Sequence, residues 1–153
     1  MEFNLLALLF AIGCCLISMI VGGKSWSNEA KAWFENLKHP DNALMVKFLN
    51  KFGIIVYLMF GLVLYYLFVR GDVISIMIMI IIISIMGISP FFLYKTKDLK
   101  LFFASNLVLF ILIPVLIFFL LQTSLTMAIT VIIYQLWIVY EMSYWYRLMK
   151  LNR

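Results

Sequence analysis

Five apolar runs, each long enough to cross a bilayer, constrain this chain more than any other feature. They lie at about Phe3–Val21, Ala43–Val69, Val73–Tyr94, Leu101–Gln122 and Leu125–Arg147. A membrane-spanning helix needs roughly 17–25 predominantly apolar residues. In hydrocarbon the backbone must satisfy its own hydrogen bonds, so runs of this kind read as helices. With 66% hydrophobic and 12% charged residues, the chain departs far from a soluble domain. Too few residues remain outside the runs for a second unit. Residues 1–153 therefore read as one all-α integral membrane domain, a bundle of five transmembrane helices.

Charge placement predicts orientation. Of the twelve Lys and Arg, only Arg70 falls on one side of the spans. The rest sit in the first connector (Lys24, Lys31, Lys38, Lys47, Lys51), around the third turn-back (Lys95, Lys97, Lys100) and at the end (Arg147, Lys150, Arg153). Positively charged loops stay cytoplasmic, which puts the N-terminus outside and the first connector and C-terminus inside. The expected location is the plasma membrane of a prokaryote, with membrane lipid as the surroundings. The net charge of +5 is thereby explained by topology, and no nucleic-acid partner is expected. Val21-Gly22-Gly23 has the small residues of a signal-peptidase site, but Met1-Glu2 supplies no basic leader, so the first helix is expected to be retained. Gly22-Gly23 is expected to end it. Cys14 and Cys15 are adjacent, about 100° apart on a helix, and suit neither a bridge nor a chelate. One His and no further thiol give no metal site.

The first connector, Lys24 to Lys51, carries the chain's only His and two of its four tryptophans. Within it a short amphipathic helix is expected. Ser27 suits the N-cap and Glu29 the first turn. Ala30, Trp33, Phe34 and Leu37 recur on one apolar face, and Lys31 pairs with Glu35 on the other. His39-Pro40 is expected to stop the helix. Such a helix either lies in the headgroup region or presses Trp33, Phe34, Leu37 and His39 over the mouth of the bundle as a lid.

Two spans carry more than apolar filling. Gly53, Tyr57, Gly61 and Tyr65 follow one another at four-residue spacing along the second span, a pattern that favours close helix packing. In the fifth, Tyr134, Trp137, Glu141, Tyr144 and Trp145 share one side at 100° per residue. Tyr134 and Trp137 lie too deep for an interfacial belt. Glu141 lies within about two turns of the cytoplasmic end, so its cost is below the roughly 2.5–3.5 kcal/mol of a mid-membrane charge, and it reads as a functional candidate or a snorkelling structural acid. Ser89-Pro90 is expected to break or kink the end of the third span, and Pro114 to kink the fourth. Val139, Tyr144 and Arg147 stand at the gaps of a proposed sterol-contact pattern.

These residues resemble the TspO/MBR family, the tryptophan-rich sensory proteins that include the mitochondrial translocator (peripheral benzodiazepine receptor) protein. Trp33-Phe34-Glu35-Asn36-Leu37-Lys38-His39-Pro40 is similar to the family's Trp-Tyr-x-x-Leu-x-Lys-Pro, and Tyr57, Gly61 and Tyr65 then align without a gap. Ser89-Pro90-Phe91-Phe92 resembles the close of the family's third helix. Ile133-Tyr134-Gln135-Leu136-Trp137, then Tyr146 and Lys150-Leu151-Asn152, resembles the close of the fifth. The departures are Asn42-Ala43-Leu44-Met45 in place of Trp-x-Pro-Pro, Gly53 in place of a ligand-facing tryptophan, and Ile85 and Ile88 in place of Asn and Trp.

The resemblance implies a five-helix bundle with a pocket for a flat hydrophobic ligand: a porphyrin or haem-like tetrapyrrole, or a sterol. It also implies a homodimer. On that reading Gly53, Tyr57, Gly61, Tyr134, Trp137 and Glu141 contribute to the pocket, and Trp33, Phe34, Leu37 and His39 to its lid. No catalytic residue is expected, because porphyrin turnover in relatives is tied to the tryptophan that Gly53 replaces. Two other readings stand beside it: a membrane scaffold without a ligand, and a small transporter built on Glu141.

Overall fold

In the computed structural model, residues 4–40 and 44–152 are described, the side chains of 44–51 excepted. Six helices follow one another: α1 (Leu5–Lys24), α2 (Asn28–Glu35), α3 (Leu44–Arg70), α4 (Val73–Thr96), α5 (Leu99–Leu121) and α6 (Leu125–Leu151). All except α2 are long and apolar enough to cross a membrane, and the described residues contain no strand. The five-span, all-helical reading holds. In the Asn42-to-Met45 departure from the family pattern, residues 42–43 lie outside the described residues and 44–45 are described only as backbone of α3.

Most helix starts are written in the local sequence. Asn4, Ser27, Asp72, Asp98 and Ser124 each turn a side-chain oxygen onto a backbone N–H of the first turn. Those N–H groups have no partner inside the helix, and capping restores one. Asp72 goes further, taking both the N–H and the hydroxyl of Ser75 at 3.1 and 2.7 Å. Gly71 adopts φ +74° between α3 and α4, a conformation that glycine enters without a Cβ penalty.

Two expected helix ends fall elsewhere, and two prolines leave their helices unbroken. α1 runs through Gly22-Gly23 to Lys24, and Ser25 closes it by donating its hydroxyl to the Gly22 carbonyl. α2 ends at Glu35, a turn before His39-Pro40, with the Asn36 N–H bonded back to Ala32. α4 passes through Pro90 to Thr96, and α5 through Pro114. Continuing past a missing N–H leaves a single carbonyl to satisfy, whereas breaking the helix in hydrocarbon exposes several polar groups.

The long helices close into a ring in the order α1, α3, α6, α5, α4, with α3 also touching α4 across it. Phe60, Leu64, Leu67, Met79, Ile82, Ile113, Leu116 and Ile138 fill the interior and are buried. Leu58, Leu62, Ile111, Phe118 and Leu136 face outward, each more than half exposed. Such a surface suits lipid and would be a liability in water. Hydrogen bonds from Asn4 N–H to Tyr65 and from Tyr66 to the Thr123 carbonyl tie one end. The connector and the C-terminus of α6 meet at the other.

α1 and α4 run parallel and approach most closely at Gly22 and Gly87. A Cβ on Gly22 would lie 3.3 Å from the Gly87 carbonyl oxygen. One on Gly87 would strike the Ser18 hydroxyl and come within 2.7 Å of the Ser18 carbonyl. Ser18 itself donates to the Ile83 carbonyl at 2.6 Å. The obstacle at Gly87 is backbone, which cannot rotate away. Gly87→Ala is therefore expected to destabilise the bundle by about 1–3 kcal/mol, the usual cost of overpacking. Gly13→Ala, where nothing lies within 4 Å, is expected to be neutral or slightly stabilising. Unfolding of the two variants in detergent, compared with the parent, checks the pair.

Candidate functional site: an aromatic cavity under the connector

A partly open cavity of about 260 Å³ lies in the half of the bundle next to α2. Its walls come from α3 and α6, with contributions from α1, α4 and α5. On α3, Gly53 leaves open space: among the described residues nothing lies within 4 Å of where its Cβ would stand. Next to it Phe52 packs on Trp137 of α6, ring centroids 4.1 Å apart and tilted by 31°. One turn deeper Tyr134 meets Phe60 edge-on at 4.8 Å.

Glu141 is the one acid among the described residues of the wall and is 9% exposed. Its Oε1 accepts the Trp145 indole N–H at 3.2 Å, an i,i+4 bond along α6. From α5, Asn106 donates its Nδ2 to the Phe102 carbonyl at 3.1 Å. A carbonyl only accepts, so the Asn106 amide is oriented with Oδ1 away from that bond. Asn106 Oδ1 makes no hydrogen bond among the described residues, and the Trp137 indole lies beside the Glu141 carboxyl as that of Trp145 does.

Of the six residues read as ligand-binding, Gly53, Tyr57, Tyr134, Trp137 and Glu141 line this cavity. Gly61 does not: it faces α1, where Cys15 Sγ lies 3.6 Å from its missing Cβ. The four-residue stripe on α3 is in fact mainly the docking face for α1. Tyr57 bonds Ser18 at 3.0 Å, Gly61 abuts Cys15, and Tyr65 accepts from Asn4. Because the Ser18 hydroxyl proton goes to Ile83, the Tyr57 hydroxyl is the donor in its own bond.

The connector is fastened down. Ala30 and Phe34 of α2 are buried, and Trp33 and Leu37 are half-buried beside them. Phe34 packs against Trp26 and Trp145, each at 6.0 Å, and Trp26 meets Tyr94 edge-on at 4.7 Å. Trp26, Tyr94 and Trp145 also line the cavity, so one aromatic layer is both the seat of α2 and the cavity wall. Lys31 and Glu35 pair at 3.9 Å on the outer face, where so exposed a bridge contributes little.

His39 reaches past α2 to α6. Its Nε2 lies 2.8 Å from the Phe34 carbonyl and its Nδ1 2.8 Å from the Tyr144 hydroxyl. The carbonyl requires Nε2 to be the donor, so in the neutral ring Nδ1 accepts from Tyr144. Asn152, just past α6, completes the fastening. Its amide mimics a peptide group, accepting from the Lys38 N–H at 2.9 Å and donating to the Lys38 carbonyl at 3.0 Å. Tyr144 thus belongs to the latch and, at 1% exposure, is inside the protein. Val139, half exposed to the outside, shares no open face with it, which removes the sterol-contact pattern.

Sequence reasoning left Phe52, Trp26, Tyr94, Phe102 and Asn106 out of the site. Asn106 carried a usable signal, as a lone amide inside an apolar run. The others are aromatics near span ends, where an interfacial belt explains them equally well. A second, apolar groove of about 450 Å³ runs between α4 and α5 and shares Ser89 and Phe102 with the aromatic cavity.

Compared with known proteins, the chain matches no family model, no curated protein and no solved structure.

The latch generates a measurable expectation. Removing the Asn152 amide deletes two hydrogen bonds to the connector, each contributing about 0.5–1.5 kcal/mol. Asn152→Ala is expected to accelerate tryptic cleavage after Lys38 by roughly 5–150-fold, with the unfolding transition of the membrane helices little changed. Unaltered cleavage would mean that the aromatic layer alone holds the connector.

Proposed function

We propose that this is a multi-pass membrane protein that binds a flat hydrophobic small molecule in the cavity between α3 and α6, for sensing or transport. The observation that carries the reading is the aromatic cavity itself, kept open by Gly53 and faced by Trp137, Tyr134 and a single buried acid. Ligand sites are concave and mostly apolar, with a few polar groups that fix orientation. At about 260 Å³ this one sits just below the usual range of roughly 300–1,000 Å³. The resemblance to the tryptophan-rich sensory proteins supports a tetrapyrrole as the first ligand class to test. A ligand that large would extend through the open side. Binding without turnover fits Gly53 in the place of the family's tryptophan. The charge asymmetry supports an orientation with the latched connector in the cytoplasm.

A transporter is the second reading, and buried Glu141 facing the cavity is the observation in its favour. Intramembrane acids that face a cavity are recurrent elements of substrate and proton pathways.

Titrating the purified protein with protoporphyrin or haem while following tryptophan fluorescence tests the first reading. Saturable quenching is expected, reduced by Trp137→Leu. Gly53→Leu fills the open space and is expected to weaken binding at least about tenfold, or 1.4 kcal/mol. Binding that ignores both substitutions would remove the cavity from the account. For the second reading, ligand flux into liposomes should fall with Glu141→Gln while ligand binding persists.

A further inference from the structure

The cavity has a definite electrostatic sense. Among the described residues that line it there is no Lys, Arg or His. Among them the one carboxyl is that of Glu141, nine-tenths buried, with Oε1 on the Trp145 indole and the Trp137 indole beside it. Asn106 adds a second acceptor, Oδ1, beside the one amide proton that its bond to the Phe102 carbonyl leaves over. The other polar groups of the wall are neutral hydroxyls and indoles.

Around these acceptors stand Phe52, Trp137, Tyr134, Tyr94, Trp26 and Trp145. Aromatic faces carry negative potential and attract cations, most strongly where water is excluded, and cages of such rings recognise ammonium groups. A buried carboxylate without a counter-charge is costly, and a bound cation supplies the counter-charge. An N–H cation would in addition give the Glu141 carboxylate a charge-assisted hydrogen bond. An anion would meet the carboxyl with nothing in the described wall to neutralise it. Both the rings and the acid therefore select the same sign.

We propose that the ligand of this cavity is a flat aromatic cation, a protonated or delocalised amine whose positive end sits at Glu141 and whose rings lie among the tryptophans. This rests on the cavity being a ligand site, and narrows it. Tetrapyrroles bearing several carboxylates are disfavoured relative to a cation of equal area.

Three ring systems of matched size separate the possibilities: 9-aminoacridine, which is cationic at neutral pH, neutral 9-hydroxymethylanthracene, and anthracene-9-carboxylate. Their affinities are measured by equilibrium dialysis against the full chain in nanodiscs, with empty nanodiscs as the partition reference. The cation is expected to bind at least about tenfold more tightly than the anion, with the neutral probe between them. Glu141→Gln should bring cation and neutral probe within about twofold of each other. Glu141→Asp, which keeps the charge, should retain the preference and controls for a folding defect. Equal or tighter binding of the anion or the neutral probe, or a preference that survives Glu141→Gln, overturns the cation assignment. Gly53→Leu distinguishes the two levels. Loss of neutral-probe binding in that variant, without any charge preference, leaves the cavity reading standing and removes the cation. No response of any probe to Gly53→Leu removes both.

Discussion

In hydrocarbon the close approach of Gly22 and Gly87 does what apolar burial does in water. Lipid tails are as apolar as leucine, so helices gain little by hiding leucines from them, and association has to come from tight packing and internal polar contacts. α1 and α4 meet where neither has room for a side chain. That contact brings Ser18 onto the Ile83 carbonyl and leaves its lone pairs for Tyr57. One hydroxyl thus ties three helices together. Further along α3, Gly61 against Cys15 and Tyr65 against Asn4 continue the same seam. With α1 held to both α3 and α4 along this seam, the space left over falls beside Gly53, at the end nearer the connector.

That space is lined by residues with two tasks. Trp145 is fully inside, donates to Glu141, packs against Phe102 at 4.4 Å and supports Phe34 of α2 from the same ring system. Trp26 and Tyr94 likewise face the cavity on one side and α2 on the other. The connector is therefore not a free flap. It rests on the cavity wall and is pinned beyond it by His39 and Asn152.

How far the sequence reveals this depends on the kind of signal each feature leaves. Span number and helix type are legible because hydrocarbon leaves a chain few alternatives. The side of α6 that carries Tyr134, Trp137, Glu141 and Trp145 is legible because periodicity alone puts them together. The stop signals mislead: Gly22-Gly23 and Pro90 punctuate soluble helices, yet here they lie inside α1 and α4. Gly61 misleads in another way, since spacing marks a smooth face without saying whether a neighbouring helix or a ligand covers it. Asn152 is the next-to-last residue of the sequence, and its partner Lys38 is more than a hundred residues away. No local pattern encodes that pair. The aromatic layer is hidden for a related reason, because Trp26, Tyr94 and Trp145 come from three separate stretches that only the ring order of the helices brings together.

The position of Glu141 carries the argument furthest. A charged side chain costs roughly 2.5–3.5 kcal/mol at mid-membrane and less toward a span end, and indole hydrogen bonds offset only part of that for Glu141. An acid needed only for packing could be replaced by glutamine or leucine at lower cost, since buried ionic groups are often matched or bettered by apolar ones. What distinguishes this acid is the open side of the carboxyl, which faces a cavity where a ligand can complete it. The same carboxyl holds the Trp145 indole, and that indole supports Phe34. A ligand that draws Glu141 toward itself acts on the bond that orients Trp145, and displacing Trp145 disturbs the surface on which α2 rests. Whatever free energy connects the two must act equally in both directions. Loosening the connector would change affinity in the cavity by the factor by which ligand binding tightens or loosens the connector.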